Sequence, residues 1–521
     1  MINFIRKRNK IPRPVVLVIM DGVGVAPPSQ GNAVYLADTK NLDELWPRFP
    51  HTYLEASGLA VGLPEGTDGN SEVGHMAIGA GKVIFQSLPR IDNAISNGSF
   101  YLNPELLAAF EHAKQNRSAI HILSLVGTGF VHASNKHLEA VIRMASQKAY
   151  NRDKVFLHIF TDGRDSMPNV GIELIEQIEI SCIQKKVGHI ASIVGRAYAM
   201  DRNRNWQRTQ KAYDLLVKGI GEVTTNWKES IEKMYKKRIF DEYIEPIIVK
   251  MEDGTTPTIK DNDSIIFVNF RPDRAFQLTA CFEKQEFTFF DRQKLNNIYF
   301  VGMTEYEENL PTHKAFPSEP VVMPLGRVLS LNGFKQLRIS ESEKYPHVTY
   351  FFNGANKEKM ENEFWIEVPS PKVPTYDLAP EMSQKEVADI VVEKIKSDEF
   401  DFILVNFAAP DMVGHTGSIE ATIKAVEMCD QCVGRVVQET LKKDGIVFVI
   451  ADHGNAEEMI DPKTGEVDTK HSTNPVPFIA IKNDFESMEL SMGSITDVAP
   501  TILAAMNIPI PPEMTGRNLL A

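Results

Sequence analysis

Short apolar runs recur along the chain, and most of them end in a glycine or a polar residue. Residues 14–20 stop at Asp21-Gly22, Phe402–Phe407 leads to Asp411, 446–451 stops at Asp452-His453-Gly454, and Val476–Ile481 follows closely. Between them lie stretches with apolar residues at helical spacing: Gln384–Lys396, 419–441 and 495–506. Continuous β-rich runs alternating with amphipathic helices predict a mainly parallel sheet covered on both faces. A second set of runs fills the middle of the chain, at Ile120–Val126, 155–160, 190–194, 265–270 and 298–303. The expected fold class is therefore α/β, with two α/β domains. The outer one, 1–85 and 320–521, is split by an inserted one, 86–319.

Composition sharpens this picture more than it changes it. The chain has 521 residues, too many for one small module, and 43% apolar with 24% charged residues is ordinary for a globular protein. The formal net charge of −13 argues against a nucleic-acid or anionic-membrane partner held by the overall field. Any anionic ligand must be met by a local cluster of Arg and Lys. Four cysteines do not make a disulfide scaffold; Cys429 and Cys432 fall on the apolar stripe of 419–441 and read as buried thiols. The basic N-terminal segment 1–10 lacks the apolar core of a secretory signal, and no stretch approaches the roughly 20 apolar residues of a membrane span. The expectation is a cytoplasmic protein, working as a monomer, with a small-molecule substrate and no membrane partner.

Ligands of open α/β sheets sit beyond the carboxyl ends of the strands. Three predicted outer strands deliver Asp21, Asp411 and Asp452 there, with His415 and His453 close by and His471 in a loop before the next strand. One such residue is usually a turn former or a helix cap. Six at the same edge are too many for one closed zinc site and suit two divalent cations with mixed N and O donors, manganese or zinc before calcium or magnesium. The nucleophile candidate is Ser71, in Gly69-Asn-Ser-Glu-Val-Gly-His75. A serine at a helix N-terminus feels the positive end of the dipole and a ready phosphate site; the bland alternative is an N-cap. His75 reads as a helper of the metal centre or as helix packing.

The inserted domain carries a different signature. Strand ends there supply Arg164 and Asp165, Arg196 and Arg202, Arg271 and Arg274, with His132 after a fourth strand. Five guanidinium groups at one sheet edge form a pocket for phosphate and carboxylate, which Arg binds in a bidentate way. Asp165 among them reads as a proton carrier for a substrate hydroxyl or as a structural ion-pair partner. Lys344 reads as a further cation between the domains or as an exposed loop lysine.

Taken together these motifs resemble the cofactor-independent (2,3-bisphosphoglycerate-independent) phosphoglycerate mutases of the alkaline phosphatase superfamily. The resemblance runs through nearly the whole chain. It rests on Met20-Asp-Gly22, Gly69-Asn-Ser-Glu-Val-Gly-His75, Asp162-Gly-Arg-Asp165, Ala199-Met-Asp-Arg202, Asn269-Phe-Arg-Pro-Asp-Arg274, Glu343-Lys-Tyr345, Pro410-Asp-Met-Val-Gly-His415, Ala451-Asp-His-Gly-Asn455 and His471-Ser-Thr-Asn-Pro475. It implies an alkaline-phosphatase-like, metal-binding outer domain and an inserted substrate-binding domain. It implies interconversion of 3-phosphoglycerate and 2-phosphoglycerate in glycolysis and gluconeogenesis, with a phosphoserine on Ser71 and no requirement for 2,3-bisphosphoglycerate. One manganese would be held by Asp411, His415 and His471, and the other by Asp21, Ser71, Asp452 and His453. The substrate would be held by His132, Arg164, Asp165, Arg196, Arg202, Arg271, Arg274 and Lys344, with Asp165 the general acid/base and Lys344 also catalytic. The chain departs from the usual pattern at Ala77, Ala133, Ala197 and Ala409. The rival readings are a metal-dependent phosphatase or a phosphopentomutase of the same superfamily.

Overall fold

A computed structural model describes residues 12–149 and 151–520; the basic segment 1–10 considered above lies outside the described residues. The chain divides into two compact units, Met1–Gln86 with Pro320–Ala521, and Ser87–Glu319. Each is built on its own eight-stranded sheet.

In the first unit the strand order is Glu363–Val368, Gln336–Glu341, Phe402–Phe407, Val15–Met20, Ile446–Ile450, Val476–Ile481, His51–Glu55 and Gly493–Ser494. The first five run parallel; Val476–Ile481 pairs antiparallel on both sides. Val15–Met20 and Phe402–Phe407 pair in register from Val15–Phe402 to Met20–Phe407, and all twelve residues are buried. Side chains on both faces of a central parallel strand leave water, which is why these segments read as unbroken apolar runs. At about 1.5–3 kcal/mol for each large apolar side chain, they dominate the stability of the unit.

Gln336–Glu341 is the strand the hydrophobic pattern does not reveal. Gln336, Arg338 and Ser340 alternate with Leu337 and Ile339, as on a half-exposed strand, yet all six positions are buried. Their polar groups are met inside: Arg338 Nε donates to Glu363 Oε1 at 3.0 Å, and Gln336 Nε2 to the Gly326 carbonyl at 2.7 Å. The helices expected at Gln384–Lys396 and 419–441 are present, the second running Ile419–Lys442. The one expected at 495–506 divides into a 3₁₀ turn, Ile495–Asp497, and the helix Val498–Ala505.

The second unit has the strand order His313–Lys314, Tyr299–Gly302, Ser264–Phe267, Ile120–Val126, Val155–Thr161, His189–Gly195, Ile247–Val249 and Glu222–Thr224. The four adjacent strands from Ser264–Phe267 to His189–Gly195 are parallel, so their carboxyl ends share one edge. Apolar clusters cover both faces of this sheet. Among the described residues no helix is long and apolar enough to cross a membrane, and all four cysteines are buried free thiols.

Candidate functional site

In the first unit, four neighbouring parallel strands each hand one charged residue to the same edge. Gln336–Glu341 leads to Lys344, Phe402–Phe407 to Asp411, Val15–Met20 to Asp21, and Ile446–Ile450 to Asp452. All four charged residues are buried. Gly22 follows Asp21 at φ +73, a backbone that glycine adopts freely.

Ser71 opens the helix Ser71–Ala80, but it is not the cap. Asn70 is, its side chain accepting from the Val73 N–H at 3.0 Å. The serine hydroxyl is thereby free for other partners. Its Oγ lies 2.8 Å from His453 Nε2, 3.2 Å from Asp21 Oδ1 and 2.6 Å from Lys344 Nζ. Lys344 is thus neither an exposed loop lysine nor remote from the carboxylates: its ammonium also reaches Asp21 Oδ1 and Asp411 Oδ2, each at 2.6 Å. Burial disfavours that charge, but Asp21 and Asp411 outweigh it and hold the lysine above its ordinary value. It is an ammonium here, not a base.

The histidines carry the strongest indication of a cation. His415 Nδ1 faces the Thr469 carbonyl at 2.7 Å, His471 Nδ1 the Gly69 carbonyl at 2.9 Å, and His453 Nδ1 the Gly454 carbonyl at 3.2 Å. A carbonyl only accepts, so each proton is fixed on Nδ1 and each Nε2 turns a bare lone pair inward. His415 Nε2 and His471 Nε2 then lie 3.0 Å apart, both 3.3 Å from Asp411 Oδ1. In the neutral rings, lone pairs facing one another across a carboxylate oxygen repel unless a proton or a metal cation lies among them. Asp452 Oδ2 adds a buried oxygen 3.1 Å from His75 Nδ1 and 3.6 Å from His453 Nε2. The donor set of these residues therefore fits divalent metal, with the second-sphere carbonyls that orient imidazole ligands.

Ligand atoms of Asp411, His453 and His471 lie within 4.8 Å of one another, as do those of Asp21, His75 and Asp452. His75 differs from the other three histidines. Its Nδ1 faces the Ser71 carbonyl at 2.9 Å, and its Nε2 lies 3.1 Å from Asn406 Nδ2. Both ring nitrogens are occupied, so His75 braces the centre and offers no lone pair to it. Asn406 also donates to Asp21 Oδ2 at 2.6 Å, and Asn455 Nδ2 to Asp411 Oδ1 at 2.8 Å. Sequence reasoning missed both amides. For Asn406 the signal was a polar residue inside an otherwise apolar run. The three carboxylates divide electrostatically: burial and Asp452 raise Asp21, while Asp411, despite its burial, is held well below the ordinary range by Lys344.

In the second unit, the parallel strands deliver the arginine set to one edge. Arg196 is buried and donates through Nη1 to Asp165 Oδ2 at 2.6 Å and to Asp162. Arg202 Nη1 reaches Asp273 Oδ2 at 2.8 Å and Arg271 Nε reaches Asp273 Oδ1 at 3.2 Å. His132 lies between the two carboxylates, 3.7 Å from Asp165 and 3.6 Å from Asp273. Burial and then Arg196 push His132 down to about 4, so it is neutral. Arg274 is lowered by burial and then by Arg196, Arg202 and Arg164, the mark of cations gathered in one place. Arg164 is the outlying member, half-exposed, 3.7 Å from Glu242. Asp165 stays below the carboxylate range although burial raises it, because Arg196 hydrogen-bonds and attracts it. Asp162 and Asp273, which hold the guanidinium groups in place, were not singled out from the sequence.

A family model described as the metalloenzyme superfamily matches residues 13–510, which sets the class: an α/β protein of the metalloenzyme superfamily. A 2,3-bisphosphoglycerate-independent phosphoglycerate mutase of Clostridium novyi is 48% identical over 97% of this chain and 99% of its own, and one of Chloroflexus aggregans is 47% identical over 98% and 99%. The crystal structure of Leishmania mexicana phosphoglycerate mutase at low cobalt concentration aligns with a TM-score of 0.53 at 29% identity, covering 97% of both chains. The chain belongs to the 2,3-bisphosphoglycerate-independent phosphoglycerate mutase family.

Proposed function

We propose that this protein interconverts 3-phosphoglycerate and 2-phosphoglycerate, as a step of glycolysis and gluconeogenesis in the cytoplasm, through a phosphoserine on Ser71. The observation that carries the reading is the Ser71 hydroxyl, released from capping by Asn70 and set among Lys344, Asp21 and His453. Two divalent cations, manganese by their mixed N and O donors, would be held by Asp411, His415 and His471 and by Asp21, Ser71, Asp452 and His453. When bound they supply positive charge that favours the ionised serine and offsets the phosphoryl oxygens.

The chain's own groups account for the rest. Ser71 Oγ, as the alkoxide, attacks phosphorus, the bond to the C3 oxygen of glycerate breaks, and the C3 oxygen takes the proton of a neutral Asp165. In the second half Asp165 takes a proton back from the C2 hydroxyl, the C2 oxygen attacks phosphorus, and Ser71 leaves as the alkoxide. Lys344 stabilises negative charge on the serine oxygen in both halves and exchanges no proton. Arg196, Arg202, Arg271 and Arg274, with Arg164 at the margin, bind the glycerate carboxylate and phosphate and retain the acid between transfers. His132, uncharged, orients a substrate hydroxyl. Asp165 carries the proton. Held low by Arg196, it is a weak base until a substrate anion draws on that guanidinium. No bisphosphoglycerate is required, because the serine stores the phosphoryl group.

The deciding experiment is a mutase assay with manganese and 3-phosphoglycerate. The expected product is 2-phosphoglycerate without bisphosphoglycerate added. Free phosphate in its place would make the protein a phosphatase.

A further inference from the structure

Glu341, the last residue of the strand that leads to Lys344, is fully buried. Neither of its carboxylate oxygens has a hydrogen-bond partner. The charges that act on it most are two more carboxylates, Glu343 on its own turn and Glu386 on the Gln384–Lys396 helix. The phenol of Tyr376, and the Cys432 thiol of the Ile419–Lys442 helix, face it as well and bring no positive charge. An ionised carboxylate so placed has no counter-charge to replace its water. Burial pushes Glu341 up to about 7; the Ser383 amide and the Ser370 hydroxyl pull the other way without closing a hydrogen bond.

The same residue forms the root of the turn. The Lys344 N–H donates to the Glu341 carbonyl at 3.0 Å, and the Ser342 N–H to the Val368 carbonyl at 2.9 Å. From that turn the Lys344 ammonium reaches Ser71 Oγ. An ionised Glu341 would be repelled by Glu343 and Glu386 and drawn toward water, and the strand end would follow it.

We propose that Glu341 is a positioning residue for Lys344: as the neutral acid it lets the strand end stay buried and the turn set the ammonium on Ser71, and as the carboxylate it loosens that turn. This rests on the reading of Ser71 and Lys344 given above. Its consequence is a limit on turnover at alkaline pH that no metal ligand or substrate group imposes.

The test compares the metal-loaded wild type with Glu341→Gln, which keeps the shape of the neutral acid. The ratio of variant to wild-type kcat should be constant below pH 7 and rise on the order of tenfold per pH unit above it, since groups shared by both proteins cancel. Melting gives an independent reading. A glutamate raised in the folded state contributes stability at low pH that is lost as pH rises from 4.5 to about 7. The wild-type Tm should therefore fall across that window relative to the variant; Glu283, also pushed to about 7, is present in both. A kcat ratio constant at every pH, or superimposable Tm profiles, would overturn the proposal. Should neither protein turn over phosphoglycerate, the functional reading is what fails, and the Tm profiles still decide whether Glu341 carries the proton. Glu341→Met, without a titrating group, serves the same comparison if the glutamine variant does not fold.

Discussion

Lys344 Nζ lies 2.6 Å from Ser71 Oγ, and the same ammonium joins Asp21 to Asp411. One cation therefore serves the nucleophile and the carboxylates around it. Replacing Ser71 with Ala should lower turnover by at least on the order of 10³ and leave no acid-stable phosphoryl label on the protein after incubation with labelled 3-phosphoglycerate. Lys344→Gln should cost on the order of 10² in kcat, as loss of a preorganised charge does. It should also lower the Tm of metal-free protein, because Asp21 and Asp411 lose the ammonium they share there. A Ser71→Ala variant that turns over normally would remove the serine from the reaction.

The histidine tautomers give metal binding a direction in pH. His415 is raised above its ordinary 6.5 by its hydrogen bond to Asp411, and His471 is raised because Asp411 outweighs its burial. In metal-free protein their protonated forms contribute stability at low pH that is lost as pH rises through these raised values. A cation must displace the same protons. Manganese affinity should thus begin to fall above pH 6.5 and keep falling on acidification, on the order of tenfold per pH unit for each proton displaced. Calorimetric titration at pH 8 and pH 6 measures it, and chelator should abolish activity until manganese is restored. An affinity that is flat over this interval would argue against the imidazole ligands.

What the sequence made legible was what central parallel strands leave no choice about. Val15–Met20, Phe402–Phe407 and Ile446–Ile450 are buried on both faces, so their composition declares them, and the polar residue just past each run declares the site edge. Asp21, Asp411, Asp452 and the arginines could be placed on that ground. Gln336–Glu341 escaped because Arg338 and Gln336 find buried partners that only the folded chain supplies. Asn406 escaped because one amide in an apolar run says nothing about the aspartate and histidine it joins. Whether Ser71 or Asn70 caps the helix also turns on a single hydrogen bond that residue types do not decide.

Arg196 separates binding from support in the second unit. Its side chain is 2% exposed and compensates Asp162, 1% exposed, together with Asp165. Truncating one partner of a buried ion pair typically costs about 3–5 kcal/mol, since a charge is left without compensation. Arg196→Ala should therefore destabilise the protein by that order and raise Asp165 toward the ordinary carboxylate range, with KM for phosphoglycerate increased. Arg338→Met offers the contrast. It breaks the equally buried pair with Glu363, so it should melt earlier by a similar amount while KM stays within twofold. Denaturant unfolding and steady-state kinetics on both variants check this; a normal KM in Arg196→Ala would take the guanidinium out of substrate binding.

Gly22 ties the three aspartates to one another. At φ +73, a side chain is strained whatever room it has, and a Cβ there would lie 2.7 Å from Asp411 Cβ and 2.9 Å from its Cα. Backbone has to move to relieve such a contact. The Gly22 N–H also points to Asp452 Oδ1 at 3.4 Å, and the residue follows Asp21 directly. One added methyl group thus reaches all three carboxylates of the metal centre while removing none of them. Gly22→Ala should weaken manganese binding by roughly 10–100-fold, the usual effect of disturbing groups that orient metal ligands. The arginine pocket lies in the other unit of the chain, so binding of glycerate or sulfate there should be unchanged. Calorimetry with manganese and with the anion separates the two, and an unaltered manganese isotherm would mean that Asp21 and Asp411 need not be held this close.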